Sequence, residues 1–268
     1  MPYATAPDGT RLYFKDWGEG RPVVLIHGWP LSSDTFDDAA LALAENGYRA
    51  ISPDRRGFGR SDQPWDGYDY DSFAEDVSAV LCEAGVTGPV AVAGFSMGGG
   101  EVARFVTRNP GRVTHAVLIG SVVPFLLQTD DHDGAPKEVF DGMIEGIKND
   151  RPAFFREFLK AFFGPGLVSD EVVDNAWRQA MMAGLKPTLA CVRAFSETDF
   201  RPDLRNFTMP TLIVHGVADQ TVPIDLTARA AAKAISHAKL IEYDDGAHGI
   251  FASHRERLTA DLLAFLGS

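Results

Sequence analysis

The sequence has few cysteines, no basic leader and no long apolar run. Its 268 residues include two cysteines, Cys82 and Cys191, and they lie too far apart to indicate a disulfide framework or a metal site. We expect both to be buried free thiols on helices. No basic segment with an apolar core begins the chain, and no run reaches the length of a membrane span. A reducing, cytoplasmic environment is therefore expected.

Positive charge is also scarce. The chain has 25 Lys and Arg residues against 37 Asp and Glu residues, for a formal net charge of −12. Such a chain repels a phosphate backbone or an anionic membrane, and its basic residues form no cluster. We therefore expect no nucleic-acid or membrane partner. The acidic run 130–133 contains a histidine, but it is expected to be a solvated loop and not a metal site.

Short apolar runs alternate with segments of helical periodicity over most of the chain. The runs that predict strands are 23–26, 49–52, 90–93, 112–119, 211–215 and 239–243. Strands that alternate with helices predict an α/β fold, with a mostly parallel sheet covered by helices on both faces. The turn signal Asp8-Gly9 predicts a hairpin before the first of these strands.

The alternation stops between residues 121 and 207, where helical patterns take over. Aromatic residues at 154–163 fall at helical spacing, and a second apolar stripe follows at 172–180. We predict that 121–207 form a helical cap insertion. The core is then made of residues 1–120 and 208–268.

The segment 90–100 has the pattern of a buried strand, a very tight turn and a helix. Gly94 and Gly98 flank Ser96 at positions where side chains would collide if a strand reversed directly into a helix. The pattern predicts that Ser96 is a nucleophile, held in a strained turn beside a helix N-terminus. A G-x-S-x-G pentapeptide is short enough to occur by chance, so the interpretation depends on partners elsewhere in the chain.

A serine nucleophile needs a histidine base and a carboxylate that orients the histidine. In an open parallel sheet the reactive groups gather beyond the carboxyl ends of the strands. Asp219 follows one predicted strand, and His248 lies in a glycine-bracketed loop after the last one. Their order after Ser96 is the one expected for a nucleophile-elbow triad. Asp199 and Asp203 are alternatives for the acid, since both lie near the end of the insertion.

The tetrahedral intermediate of acyl transfer needs backbone N–H donors for its oxyanion. One donor is expected from Met97, directly after the nucleophile. The other is expected from Trp29, in the loop that follows the strand 23–26. Gly28 would let that backbone approach the site closely.

Five segments together resemble the α/β-hydrolase family, in the branch of aryl esterases and cofactor-free haloperoxidases, or perhydrolases. They are His27-Gly28-Trp29-Pro30, Asp54-Arg55-Arg56-Gly57-Phe58-Gly59-Arg60-Ser61, Gly94-Phe95-Ser96-Met97-Gly98-Gly99, Val214-His215-Gly216 with Asp219, and Gly246-Ala247-His248-Gly249. The resemblance implies the α/β-hydrolase fold and a Ser96 acyl-enzyme, with no metal or other cofactor. Its partners would be a small ester, or a carboxylic acid with hydrogen peroxide. Relatives commonly assemble from identical subunits, so a homo-oligomer is also an expectation.

Pro30 favours the perhydrolase side of this resemblance. The family's esterases often carry a bulky aliphatic residue at this position, whereas its perhydrolases resemble this sequence in having proline. Proline lacks an N–H and restricts the residue before it. Our hypothesis is that Pro30 turns the Trp29 carbonyl inward, where it accepts a hydrogen bond from peroxide.

The substrate pocket is expected to be small, apolar and lined by aromatic side chains, which suits short acyl groups or aryl esters. The residues expected to line it are Gly28, Pro30, Phe125, Phe158, Phe162 and Ile224.

Two other functions fit the same residues. A lactonase or amidase would use the same acyl-enzyme on cyclic substrates. A catalytically silent receptor for a small ligand could share the fold, although a binding protein has no need of a complete Ser-His-Asp set. Dehalogenase chemistry would need a carboxylate where Ser96 stands.

Overall fold

The computed structural model describes residues 2–267, which form an eight-stranded sheet with helices on both faces. The strands are β1 (Tyr3–Thr5), β2 (Arg11–Trp17), β3 (Arg21–Ile26), β4 (Tyr48–Pro53), β5 (Val90–Phe95), β6 (Val113–Ile119), β7 (Thr211–Gly216) and β8 (Lys239–Tyr243). The helices are α1 (Asp37–Glu45), α2 (Tyr70–Glu83), α3 (Met97–Arg108), α4 (Lys137–Phe163), α5 (Asp170–Met182), α6 (Leu185–Glu197), α7 (Ala228–Ala234), α8 (Ile250–Ser253) and α9 (Arg255–Leu266). Single 3₁₀ turns lie at Ser33–Phe36 and Leu204–Asn206.

The strand order is β1-β2-β4-β3-β5-β6-β7-β8, and β5 lies near the middle. The predicted hairpin pairs β1 with β2 in antiparallel fashion, with Thr5 opposite Arg11. The β2–β4 pair is also antiparallel, and the remaining pairs are parallel. The predicted α/β fold with a mostly parallel sheet is confirmed.

The hydrophobic core forms two layers, one on each face of the sheet. Along β3, Val24 and Ile26 pack with the apolar faces of α2 and α3. Val23 and Leu25 point to the opposite face and pack with α1 and α9. Alternate residues of a strand face opposite sides of the sheet, so a strand covered on both sides must be apolar at every position. This requirement explains the continuous apolar runs in the sequence.

Helices α4, α5 and α6 fall within residues 121–207, and the division of this segment from the core stays a prediction. The long helix α4 is broken at Asp150, whose φ of −153° and ψ of 84° are not helical. The Asp150 carboxylate accepts a hydrogen bond from the Ala153 N–H at 3.0 Å and so caps the second half of the helix. Pro152 fits there because the first turn of a helix needs no N–H from it. The two halves of α4 can therefore present different faces to the site.

The two cysteines have different environments. Cys191 on α6 is buried, and burial raises the pKa of its thiol to about 12. Cys82 on α2 is exposed, so the expectation of two buried thiols is wrong for Cys82. The buried face of α2 includes its neighbour Leu81, and consecutive helical residues point in different directions.

Within residues 2–267, no helix is both long and apolar enough to cross a bilayer.

Candidate active site

Ser96 occupies the tight turn between β5 and α3. Its φ of 55° and ψ of −120° make it the only non-glycine residue with positive φ among residues 2–267. A backbone of this kind costs about 1–3 kcal/mol and persists only where the surroundings hold it. Here the Ser96 N–H donates to the Ile119 carbonyl of the neighbouring strand at 2.8 Å. The sheet therefore holds the strained turn in place.

Glycines allow this turn to pack against its surroundings. A Cβ on Gly94 would lie 2.2 Å from the Gly98 carbonyl oxygen, and one on Gly98 would lie 2.4 Å from the Ile26 oxygen. A Cβ on Gly28 would lie 2.9 Å from the Ser96 Cβ. Such distances exclude a side chain, so the turn and the loop after β3 are in direct backbone contact.

The structure brings Ser96, His248 and Asp219 together. His248 Nε2 lies 2.9 Å from Ser96 Oγ, and His248 Nδ1 lies 2.6 Å from Asp219 Oδ2. All three residues are buried. A carboxylate can only accept, so Nδ1 carries the proton and Nε2 is free to accept the Ser96 hydroxyl proton. This geometry is that of a nucleophile, a base and an orienting acid.

Three N–H donors hold the Asp219 carboxylate, those of Thr221, Val222 and His248. Its Oδ1 accepts from the backbone N–H groups of Thr221 at 2.9 Å and Val222 at 2.8 Å. His215 Nε2 donates to the Val222 carbonyl at 2.8 Å and lies 3.2 Å from Oδ2, the oxygen that also accepts from His248. Burial alone would raise the pKa of Asp219, but the two histidines outweigh it and hold that pKa well below its usual range. The carboxylate is therefore ionised at neutral pH.

The two alternative acids lie elsewhere. Asp199 pairs with Arg201 at 2.8 Å, and Asp203 pairs with Arg104 at 3.3 Å. Arg201 also reaches Asp131 in the acidic loop at 3.1 Å. Across residues 2–267, no group of three or more His, Cys, Asp or Glu side chains is arranged to hold a metal ion.

Trp29 connects the loop after β3 to the helices of residues 121–207. Its indole Nε1–H donates to the Thr188 carbonyl on α6 at 3.0 Å. Its ring packs, with centroid distances of 5.3 to 5.6 Å, against Phe155, Phe158 and Phe195. The peptide bond between Trp29 and Pro30 is cis. The Trp29 side chain is therefore held by α4 and α6.

A cavity of about 360 Å³ opens onto Ser96 and His248. Most of its wall is apolar, including Val122, Leu126, Phe140, Met143, Phe158 and Phe195. The acid loop contributes the polar residues Gln220 and Thr221. No Asp, Glu, Lys or Arg belongs to the lining of this cavity within the described chain. Because a charged ligand would find no partner here, the cavity suits an uncharged one.

Of the six residues expected at the pocket, Phe158 lines the cavity. Phe162 packs against His248 instead, with its ring centroid 4.7 Å from that of the imidazole. The Phe125 ring packs on His132 at 5.0 Å, and Ile224 is buried in the core. The lining does not include these three residues, nor Gly28 or Pro30.

Sequence reasoning did not identify Phe140 and Met143, which line the cavity from the first half of α4. Apolar residues three positions apart occur both in helices that line a cavity and in helices that pack on a core. The break at Asp150 sets the direction of this half. The pattern of apolar residues does not show which way this half of α4 points.

The chain is similar to known proteins in sequence and in fold. The family model described as "alpha/beta hydrolase fold" matches residues 21–254. The chain is 46% identical over 275 residues to a non-heme haloperoxidase of Rhodococcus erythropolis, and 44% identical over 277 residues to a bifunctional esterase/perhydrolase of Acinetobacter calcoaceticus, with 100% of both chains covered in each case. The crystal structure of a bromoperoxidase from Bacillus anthracis superposes with a TM-score of 0.94 at 42% identity, again over 100% of both chains.

Proposed function

This chain belongs to the α/β-hydrolase family, in the branch of the non-haem haloperoxidases and esterases, and we propose that it is a serine hydrolase of small carboxylic esters that also performs perhydrolysis. Ser96 is the nucleophile, His248 the general base and Asp219 the orienting acid. The N–H groups of Trp29 and Met97 form the oxyanion hole. These groups suffice for acyl transfer, so no metal or other cofactor is needed.

In the first half-reaction Ser96 Oγ attacks the ester carbonyl while His248 Nε2 takes its proton. The carbonyl oxygen becomes an oxyanion and accepts hydrogen bonds from the two backbone N–H groups. Collapse of this intermediate expels the alkoxide, which takes the proton from His248 and leaves as an alcohol. The acyl group remains bound to Ser96 as an ester.

In the second half-reaction His248 takes a proton from water or hydrogen peroxide, which attacks the acyl-enzyme. His248 then returns that proton to Ser96 Oγ as the bond between Oγ and the acyl group breaks. Water releases a carboxylic acid, and hydrogen peroxide releases a peracid. A peracid RCO₃H oxidises a halide ion X⁻ to HOX and becomes RCO₂⁻. This last step needs no protein group, which accounts for haloperoxidase activity without haem.

One observation carries the proposal: the chain of contacts from Ser96 Oγ through His248 to Asp219, at 2.9 and 2.6 Å, opens into an apolar cavity. The relatives named as haloperoxidase and esterase/perhydrolase match over the full chain, which favours ester and peroxide chemistry. The cavity volume of about 360 Å³ is at the lower end of the usual range for small-molecule sites. It favours short acyl groups or aryl esters. A cytoplasmic location and a homo-oligomeric state stay predictions.

A turnover panel tests the proposal. The purified protein is expected to hydrolyse p-nitrophenyl acetate and butyrate, and to brominate monochlorodimedone when acetate, bromide and hydrogen peroxide are supplied together. Lactones and amides in the same panel test the alternative substrates. Bromination should stop when acetate is omitted, because the peracid forms only from an acyl group. A protein that hydrolyses no ester under these conditions would contradict the proposed function.

Pro30→Leu is expected to lower perhydrolysis relative to hydrolysis. Our hypothesis assigns Pro30 to turning the Trp29 carbonyl toward peroxide, and one lost hydrogen bond in the transition state corresponds to a change of about tenfold. The ratio of peracetic acid formed to p-nitrophenol released measures the effect. Hydrolysis by the same variant is the internal control. A ratio equal to that of the wild type would remove the role assigned to Pro30.

A further inference from the structure

Arg55 and Glu101 form a buried ion pair that has no part in the chemistry above. Arg55 lies in the loop after β4, and Glu101 lies in α3. Their residues are 4% and 3% exposed, and Arg55 Nε donates to the Glu101 carboxylate. Apolar residues of similar volume are often as stable as a buried ion pair, or more so. Stability alone therefore does not account for this pair, and its other contacts indicate what it does.

One end of the pair holds the loop after β3. Arg55 Nη2 donates to the His27 carbonyl at 2.5 Å, and the Arg55 backbone N–H donates to His27 Nε2 at 2.9 Å. Since Nε2 accepts, the ring proton lies on Nδ1, which donates to the Gly28 carbonyl at 2.9 Å. Burial and the charge of Arg55 lower the pKa of His27 to about 3. The ring thus stays neutral near neutral pH, and these three contacts fix the backbone just before Trp29.

The other end of the pair holds the first turns of α3. Glu101 follows Met97 by four residues, so the two lie one above the other on one face of the helix. Between them, a Cβ on Gly98 would lie 2.9 Å from the His27 oxygen, the atom that Arg55 holds. The pair therefore spans the contact between the loop after β3 and the start of α3.

We propose that Arg55 and Glu101 are a positioning pair that sets the distance between the two oxyanion-hole amides, those of Trp29 and Met97. This inference rests on the proposed function. The Trp29 amide belongs to the loop after β3, and the Met97 amide belongs to the start of α3. The ion pair connects these two backbone segments. Neither side chain lines the substrate cavity, so the pair acts on the transition state through the backbone.

A second buried ion pair, which involves the next residue, Arg56, provides a matched control. Arg56 and Asp76 are also buried, at 2% and 6% exposure, and form two hydrogen bonds of 2.6 Å. Arg56 also donates to the exposed carboxylate of Asp8 at 2.6 Å. Asp76 belongs to α2, and neither side chain of this pair hydrogen-bonds to the loop after β3 or to α3. Replacement of both charges of the Arg56–Asp76 pair should not move the oxyanion hole.

The test compares two double variants, Arg55→Met/Glu101→Met and Arg56→Met/Asp76→Met. Each replaces both charges, so no unpaired buried charge remains and Tm should stay close to that of the wild type. For the first variant we expect kcat for p-nitrophenyl butyrate to fall by about tenfold to a hundredfold, as for a small misplacement of catalytic groups. Its KM should stay within about twofold, because the cavity is unchanged. The second variant should keep the wild-type kcat.

A second readout separates positioning from general damage. Affinity for a boronic acid that forms a tetrahedral adduct with Ser96 should fall by the same factor as kcat/KM, because it needs the same two amides. The single variant Glu101→Gln keeps an oxygen that accepts from Arg55 Nε, so it should retain at least about tenfold more kcat than Glu101→Met. Burial raises the pKa of Glu101 to about 7, so all assays are run well above that pH.

Two results would overturn the inference: a wild-type kcat in the Arg55→Met/Glu101→Met variant, or equal losses of kcat in both double variants. If neither double variant folds, the single variants decide. A loss of kcat in Glu101→Gln as large as that in Glu101→Met would then overturn the inference. A different result would contradict the proposed function, namely the absence of esterase activity in the wild-type protein.

Discussion

Ser96→Ala is expected to lower kcat for ester hydrolysis by about six orders of magnitude, as when the nucleophile of another serine triad is removed. The variant retains the cavity and both backbone amides, so substrate binding and a small residual rate should persist. Perhydrolysis and bromination should be lost with hydrolysis, because all three pass through one acyl-enzyme. Initial rates for the three reactions, measured on the same preparation, check this.

A suitable control for Ser96→Ala is Ser52→Ala. Ser52 is a buried serine on β4, and its hydroxyl has no hydrogen-bond partner within the described chain. Its removal should leave kcat unchanged and should not lower Tm. Bromination that survives in Ser96→Ala while hydrolysis is lost would place the peroxide chemistry outside this site.

Asp219→Asn is expected to lower kcat by about 10⁴-fold, as in other triads where an amide replaces the acid. The Thr221 and Val222 N–H groups donate to Oδ1, so the amide oxygen of asparagine should take that position. Its NH₂ group then faces His248 Nδ1, which must accept instead of donate. The ring proton moves to Nε2, and His248 can no longer accept the proton of Ser96.

Two measurements check the Asp219→Asn prediction. The first is kcat, with Asp203→Asn as a matched control, because Asp203 is also buried and pairs with Arg104 away from the site. The second is the low-field proton NMR resonance of the His248 Nδ1–H, which should be present in the wild type and absent from Asp219→Asn. If Asp203→Asn lost activity and Asp219→Asn kept it, the two acids would have to exchange roles.

The architecture could be predicted because each feature depends on residues close together in sequence. A strand covered on both faces must be apolar at every position, and the run 90–93 satisfies this. Gly94 and Gly98 indicated the tight turn because any side chain there would meet backbone atoms 2.2 to 2.4 Å away. Asp219 and His248 could be selected because both follow strands of one parallel sheet, whose carboxyl ends meet at one edge.

The pocket could not be predicted in the same way. Phe158 and Phe162 are four residues apart on α4, yet Phe158 lines the cavity and Phe162 packs against the His248 ring. Both positions need an apolar aromatic side chain, so the pattern does not distinguish them. The break at Asp150 directs the first half of α4 toward the cavity, and an aspartate before a helical turn is common at many surface positions.

The sequence by itself determined the order of strands and helices, the strained serine turn and the candidate base and acid, since each follows from local sterics and from chain order. Only the tertiary structure decided which helix faces enclose the substrate and which buried charges meet. Arg55 and Glu101 are 46 residues apart in sequence, and nothing local relates them. Arg55 reaches both His27 and Glu101 because β3, which leads to His27, lies between β4 and β5 in the folded sheet.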